Sequence, residues 1–134
     1  MMNPVVFFEM PYRNHERAAK FYEAAFGWKP EMLGPDKGNY VRLQTADANA
    51  KASGSKVKAA AGAINGGMYA TRPDGPAQYP AVVISVEDIK AASQRVNAAG
   101  GQVFGEGMEI PGVGFMAVFR DTEGNINRMM QYTR

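Results

Sequence analysis

Residues 14–28 read NHERAAKFYEAAFGW, and this stretch decides the fold of the chain. Asn14 has a side chain that can cap a helix, and apolar residues recur at helical spacing at positions 18, 21, 22, 25 and 26. Gly27 follows the last of them, where the end of a helix favours a residue that tolerates positive φ. The stretch therefore predicts a helix between Asn14 and Gly27 with one apolar face.

The segments on either side of this helix predict strands. The β-prone run VVFF, closed by Pro11, predicts a strand over about residues 4–10. Residues 40–44 alternate between apolar and polar side chains, and residues 64–71 form a further strand-like run. Residues 45–63 are rich in Ala, Lys, Ser and Gly, so we expect a long loop there.

The same order of signals returns after 74 residues, where Asp88 falls on Asn14 as the helix cap. An apolar β-branched run over residues 80–86 precedes this second helix, and Gly100-Gly101 ends it. Three more strands are predicted after it, over residues 103–104, 113–120 and 125–132. The two halves agree in the order of their elements and in the residues that cap and end their helices, which indicates an internal repeat of one supersecondary unit.

This repeat predicts an α+β fold of paired βαβββ modules. We assign the chain to a single domain, 1–134, with one module over about residues 3–74 and a second over about residues 78–134. The alternative is a ferredoxin-like α+β domain that arose without duplication.

Composition argues against several classes of function. The chain has 134 residues, no cysteine and a formal net charge of +2. Without cysteine it can form no disulfide, thiolate metal site or cysteine nucleophile. The balanced charge does not indicate nucleic acid binding, and no apolar run approaches the roughly 20 residues that span a bilayer. Residues 1–8 lack the pattern of a signal peptide, so we expect a cytoplasmic protein.

Several motifs resemble one protein family. Residues 14–28 resemble the first helix of the glyoxalase/bleomycin resistance/dioxygenase (vicinal oxygen chelate) superfamily, whose members commonly show ERA, FY and FGW at that point. Residues 64–68, 112–115 and 119–125 are similar to motifs of its lactoylglutathione-lyase-related subgroup. The resemblance implies that the two modules form a cup-shaped mixed sheet with helices outside, around a cavity, in a homodimer. It leaves the activity open, because this fold hosts isomerases, dioxygenases, transferases and drug-binding proteins.

The resemblance also implies where metal ligands would lie. Metal-dependent members carry them on the strand before each helix and on a late strand of each half. In this chain the positions fall on Phe7, the Gly66-Gly67 pair, Ala81 and Arg128, whose side chains cannot hold a divalent cation. The single histidine, His15, lies at the start of a helix, where we expect a surface residue. We therefore expect neither a metal nor another cofactor.

Glu9 is the leading candidate for a catalytic residue, because strand alternation places it on the same face as Phe7. A carboxylate in an apolar cup can act as a base or bind a cationic group, and the alternative is a rim carboxylate paired with an arginine. Arg128 could pair with Glu9 or hold an anionic substrate. The predicted ligand pocket comprises Phe7, Tyr40, Arg42, Met68, Phe115, Arg128 and Met130. Such a stripe of aromatic and methionine side chains could equally be core.

Three functions remain open from the sequence. The first is a metal-free protein that binds a small apolar or aromatic molecule in the cup, for sequestration or resistance. The second is a lyase or isomerase related to lactoylglutathione lyase, with Glu9 as base and no metal or an atypical one. The third is a structural or partner-binding module whose cup is filled by its own side chains.

Overall fold

Eight strands and two helices make up the part of the chain that the computed structural model describes, which is residues 2–46, 62–75 and 78–133. In chain order they are β1 (Val5–Tyr12), α1 (His15–Phe26), β2 (Lys29–Met32), β3 (Val41–Gln44), β4 (Asn65–Ala70), β5 (Ala81–Ser85), α2 (Ile89–Ala98), β6 (Gln102–Ile110), β7 (Gly114–Arg120) and β8 (Ile126–Tyr132). A short 3-10 turn, Pro35–Lys37, lies between β2 and β3. Most of the loop predicted over residues 45–63, from 47 to 61, lies outside the described residues.

The predicted α+β fold of paired βαβββ modules is confirmed, since the order strand, helix and three strands occurs twice. The two helices begin and end as the sequence predicts. The side chain of Asn14 accepts a hydrogen bond from the Arg17 N–H at 2.9 Å, and Gly27 ends α1 with φ 72°. The side chain of Asp88 caps α2 in the same way. No helix within the described ranges is long and apolar enough to cross a membrane.

Residues Phe7–Pro80 form one compact unit, which we call the N-terminal unit. Its strands follow the order β2-β3-β4-β1, with a parallel pair between β4 and β1 and antiparallel pairs elsewhere. One face of these strands packs on α1 and buries Val41, Leu43 and Met68. This burial of apolar surface is the main force that stabilises the unit. We call the opposite side of the strands the helix-free face.

Residues Met1–Val6 and Ala81–Arg134 form the second compact unit, the C-terminal unit. Its strands follow the order β5-β8-β7-β6, again with one parallel pair, between β5 and β8. The start of the chain joins this unit, because the Ser85 N–H donates to the Pro4 carbonyl at 2.9 Å. The core between α2 and these strands is apolar and consists of Val86, Ile89, Ala92, Ala117, Phe119 and Met129.

The structure corrects the predicted bounds of β1. This strand continues through Pro11 to Tyr12, although the sequence suggested that Pro11 would close it. Pro11 lies one residue before the end of β1, in register with Tyr69 of β4. A proline at the end of a strand removes one N–H donor, and its fixed φ still allows an extended backbone.

Two other strands differ from the prediction. Strand β2 was not predicted, because Lys29–Met32 is short, largely exposed and interrupted by Pro30. Strand β6 is longer than residues 103–104, since it continues to Ile110 past a register shift between Phe104 and Met108. The glycines within that shift have positive φ, which hides the strand from a simple alternation pattern.

Candidate functional site

A hydrogen bond between Tyr40 and Glu9 is the main polar feature of the helix-free face of the N-terminal unit. The Tyr40 hydroxyl donates to Glu9 Oε2 at 2.6 Å, and the bond is partly buried. Glu9 lies on β1, and Tyr40 immediately precedes β3. Strand β4 lies between them, with Gly67 in register with Glu9 on one side and with Arg42 on the other.

The absence of a side chain at Gly67 makes this hydrogen bond possible. A Cβ built at Gly67 would lie 1.9 Å from the Tyr40 hydroxyl oxygen and 2.3 Å from the ring carbon Cζ. Tyr40 therefore occupies the space above β4 that any other residue at position 67 would fill, and it reaches across that strand to Glu9. Glycine in a strand often marks such a close approach.

The turn before β3 fixes the backbone from which Tyr40 extends. Asn39 has a positive φ of 53°, a conformation that asparagine tolerates better than most residues. The Tyr12 hydroxyl donates to the Asn39 carbonyl at 2.7 Å. Burial raises the pKa of Tyr12, so its hydroxyl remains a donor well into the alkaline range. The Leu33 N–H donates to the Tyr40 carbonyl at 3.0 Å and completes this support.

The other residues predicted for the pocket in this unit divide between the two faces. Phe7 shares the helix-free face with Glu9 by strand alternation, as does Arg42 with Tyr40. Arg42 forms an ion pair with Glu31 on the neighbouring strand at 3.0 Å, and both side chains are about 60% exposed. Met68 does not join them, because position 68 faces α1 and its side chain is 4% exposed in the apolar cluster.

In the C-terminal unit the predicted pocket residues also divide. Arg128 and Met130 lie on the helix-free face of β8, and both are buried. Arg128 is in register with Val83 on one neighbouring strand and with Val118 on the other, so it lies between two valines on this face. Phe115 occupies the other face of β7, the one that carries Ala117, at the exposed end of the strand.

The residues at the expected metal positions do not fit a metal ion. Phe7 and Gly67 lie on adjacent strands of the N-terminal unit, and the volume above Gly67 is taken by the Tyr40 phenol. Ala81 in the C-terminal unit is buried and has no donor, and Arg128 carries a positive charge. Among the described residues no group of three or more His, Asp or Glu side chains could hold a metal ion.

Sequence reasoning found Glu9 and Tyr40 but missed how they meet. The role of Gly67 depends on three strands that are adjacent only in the folded unit. The glycine pair at positions 66 and 67, inside an otherwise strand-like run, is the signal that could have indicated it. A Cβ at Gly66 would in turn meet the Phe8 ring on the helix side at 2.4 Å. Each glycine thus accommodates an aromatic ring on a different face.

Comparison with protein families gives one match over most of the chain. Residues 5–129 match the model of the glyoxalase/bleomycin resistance protein/dioxygenase superfamily. The anthracycline biosynthesis protein DnrV of Streptomyces peucetius is 32% identical over 115 residues, and putative glyoxylase CFP32 of Mycobacterium bovis is 33% identical over 110 residues. These stretches cover 80% and 81% of this chain but only 39% and 36% of the two relatives.

A solved structure has the same fold. Methylmalonyl-CoA epimerase of Streptomyces coelicolor, a Q60A variant in complex with 2-nitronate-propionyl-CoA, superposes with a TM-score of 0.67. The alignment covers 100% of both chains at 13% sequence identity. At this identity the similarity concerns the fold alone.

Proposed function

The chain belongs to the glyoxalase/bleomycin resistance protein/dioxygenase superfamily, and on that premise we propose that it binds a small apolar or aromatic molecule without a metal ion. Sequestration of the bound compound, or resistance to it, is the role that such binding would serve. The motifs at residues 64–68 and 119–125 favour the lactoylglutathione-lyase-related subgroup as part of this proposal.

The hydrogen bond from Tyr40 to Glu9 over Gly67 is the observation that carries the proposal. It puts a carboxylate and a phenol at the place where a metal-dependent relative would carry a ligand on a late strand. A carboxylate has about four acceptor sites, so Glu9 can accept from Tyr40 and from further donors. The Phe7 ring on the same face offers an apolar surface two residues away on β1.

Calorimetry and thermal-shift measurements with aromatic compounds test this function. We expect compounds such as 2-naphthol to raise the melting temperature, and Phe7→Ala to weaken their binding about tenfold, because an aromatic contact contributes about 1.5 kcal/mol. Phe21→Ala is the matched control, since this ring is 56% exposed on α1. The proposal fails if no aromatic compound stabilises the protein, or if both variants weaken binding equally.

Metal analysis tests the second half of the proposal. The purified protein should contain no stoichiometric metal after dialysis against a chelator, and added Zn²⁺ or Ni²⁺ should not change its melting temperature. A metal that survives dialysis in a one-to-one ratio would contradict the interpretation of Phe7, Ala81 and Arg128.

A second candidate function is proton transfer, with Glu9 as the base of a lyase or isomerase. The support is the geometry of Glu9 itself, whose carboxylate accepts a partly buried hydrogen bond from the Tyr40 phenol on the helix-free face. Assays on hemithioacetals and related carbon acids test it. Glu9→Gln should abolish turnover while leaving the protein folded, and unchanged turnover would remove Glu9 as the base.

The quaternary structure and location belong to the same proposal. We expect a homodimer in the cytoplasm, with residues 1–134 as one domain of two modules. Sedimentation at micromolar concentration checks the dimer, since a mass close to 14.5 kDa would show a monomer. We expect no nucleic acid or membrane as partner.

A further inference from the structure

We infer that Tyr40 is a positioning residue for Glu9, and that Gly67 is the residue on which this positioning depends. Glu9 extends from β1, where it is in register with Gly67 of β4. A glutamate side chain has three rotatable bonds, and the hydrogen bond of 2.6 Å from the Tyr40 phenol restricts this freedom. The inference rests on the proposed function in so far as Glu9 is the group that the bound molecule meets.

The phenol can act in this way because its own position is fixed at two ends. The backbone at Asn39 is held by the Tyr12 hydroxyl, and the ring is held against the backbone of β4 at Gly67. A ring seated on a glycine cannot swing toward the strand, so the direction of its hydroxyl is set by the sheet itself. Holding a functional side chain from a rigid element is what gives a site its precision.

Gly67 consequently determines which chemistry this face supports. An alanine at this position would place its Cβ within 2.4 Å of three Tyr40 atoms, the hydroxyl oxygen and two ring carbons, and would expel the ring. A ligating side chain, such as the one a metal-dependent relative would carry, would expel it as well. The carboxylate–phenol pair and a metal ligand at position 67 therefore exclude each other.

The carboxyl carbon of Glu9 provides a readout that needs no bound molecule. In ¹³C-labelled protein its signal is identified by its disappearance in Glu9→Gln. We expect Tyr40→Phe and Gly67→Ala to move this signal to the same new position, and the double variant to add nothing, because each change removes the same hydrogen bond. Tyr22→Phe is the control: it removes a hydroxyl that donates to the Met10 sulfur on the side of the strands that packs on α1, and it should leave the signal in place.

Three results would overturn the inference: an unmoved Glu9 signal in Tyr40→Phe, an equal movement in Tyr22→Phe, or an unmoved signal in folded Gly67→Ala. If Gly67→Ala does not fold, the comparison of Tyr40→Phe with Tyr22→Phe still decides the role of Tyr40. Because these signals are recorded on the free protein, they separate this inference from the proposed binding function.

Binding of a chosen probe extends the test. The pair 2-naphthol and 2-methoxynaphthalene differ in one hydrogen-bond donor, which the carboxylate of Glu9 can accept. Tyr40→Phe should weaken the binding of 2-naphthol about fivefold, as expected for one hydrogen bond, and leave 2-methoxynaphthalene unchanged. An equal loss of affinity for both probes would show that Tyr40 contributes only an apolar contact, and it would contradict the positioning role of Tyr40.

Discussion

The two units have matching helix sides and different helix-free faces. On the helix side Leu43 and Met68 of the first unit correspond in strand register to Phe119 and Met129 of the second, and all four are buried. On the other face the pair Glu9 and Gly67 corresponds to Val83 and Arg128. The helix side must remain apolar to bury each helix, whereas the other face has been free to change.

This difference concerns the polar side chains that each helix-free face carries. The N-terminal unit carries a carboxylate, Glu9, on the strand before the helix, in register with Gly67 of β4. The C-terminal unit has the opposite arrangement, an apolar residue on that strand and a buried guanidinium, Arg128, on the last one. Two copies of one structural repeat thus present different polar groups, while the helix side of each remains apolar.

Removing a core side chain from each unit is expected to give the largest effects. Leu43 is 0% exposed and Phe119 is 9% exposed. Replacing either with alanine should lower the free energy of unfolding by about 3 kcal/mol, the usual cost of a cavity of that size. Urea denaturation followed by circular dichroism measures both.

Met108→Ala is the control for these core substitutions. Its side chain is 57% exposed on β6, so the change should cost less than about 0.5 kcal/mol. If Leu43→Ala were as mild as Met108→Ala while Phe119→Ala was severe, the two helix sides would not be energetically equivalent. The structural correspondence between the units would then be one of shape alone.

Most of the fold could be predicted from the sequence, because its signals are local. The caps at Asn14 and Asp88 and the glycines that end both helices act within one turn, and all of them were found. Strand β2 was missed, because an exposed edge strand containing Pro30 has neither alternation nor burial to mark it.

The candidate site was only partly predictable, because it depends on contacts between strands. Alternation placed Glu9 and Phe7 on one face, which agrees with the structure. It could not show that Tyr40 crosses β4, since this requires the register of three strands that are distant in sequence. Met68 was assigned to the pocket for its residue type, but strand alternation from Gly67 turns it toward α1.

The helix caps allow a finer comparison of the two units. Asn14 accepts from one backbone N–H, whereas Asp88 accepts from two, those of Lys90 and Ala91. Asn14→Ala and Asp88→Ala should each cost about 1 kcal/mol, with the larger loss at Asp88. Thermal unfolding of the two variants measures the difference, and Asn14→Ser and Asp88→Asn should restore most of the stability. An equal loss in the rescue variants would contradict the capping role.

The residues that directly follow β3 and β7 differ more than the caps. In the C-terminal unit β7 and β8 are joined by a tight turn in which Asp121 accepts from the Asn125 side chain at 2.9 Å and from the backbone N–H groups of Glu123 and Asn125. The corresponding position of the N-terminal unit, Thr45, instead donates its backbone N–H to the side chain of Asn65 at 2.8 Å. Only the turn of the C-terminal unit therefore places an ionisable group at this point.

The pKa of Asp121 reports on that turn. The hydrogen bond from the Asn125 side chain, followed by that from the Glu123 N–H, holds this pKa below its ordinary value. A lowered pKa in the folded state means that the turn contributes stability above the unfolded pKa of about 3.9, and that this contribution is lost as the pH falls through the folded pKa. Asn125→Ala should raise the pKa of Asp121 in an NMR titration, because it removes one of the hydrogen bonds that stabilise the carboxylate. The difference between the folded and unfolded pKa of Asp121 would then be smaller, and so would the stability that the turn contributes.

Thr122→Ala is the matched control, because the Thr122 hydroxyl donates to Glu123 rather than to Asp121, and it should leave the titration unchanged. An unchanged pKa in Asn125→Ala would mean that the backbone N–H groups alone hold the carboxylate, and the turn would then depend on its backbone conformation rather than on the asparagine side chain.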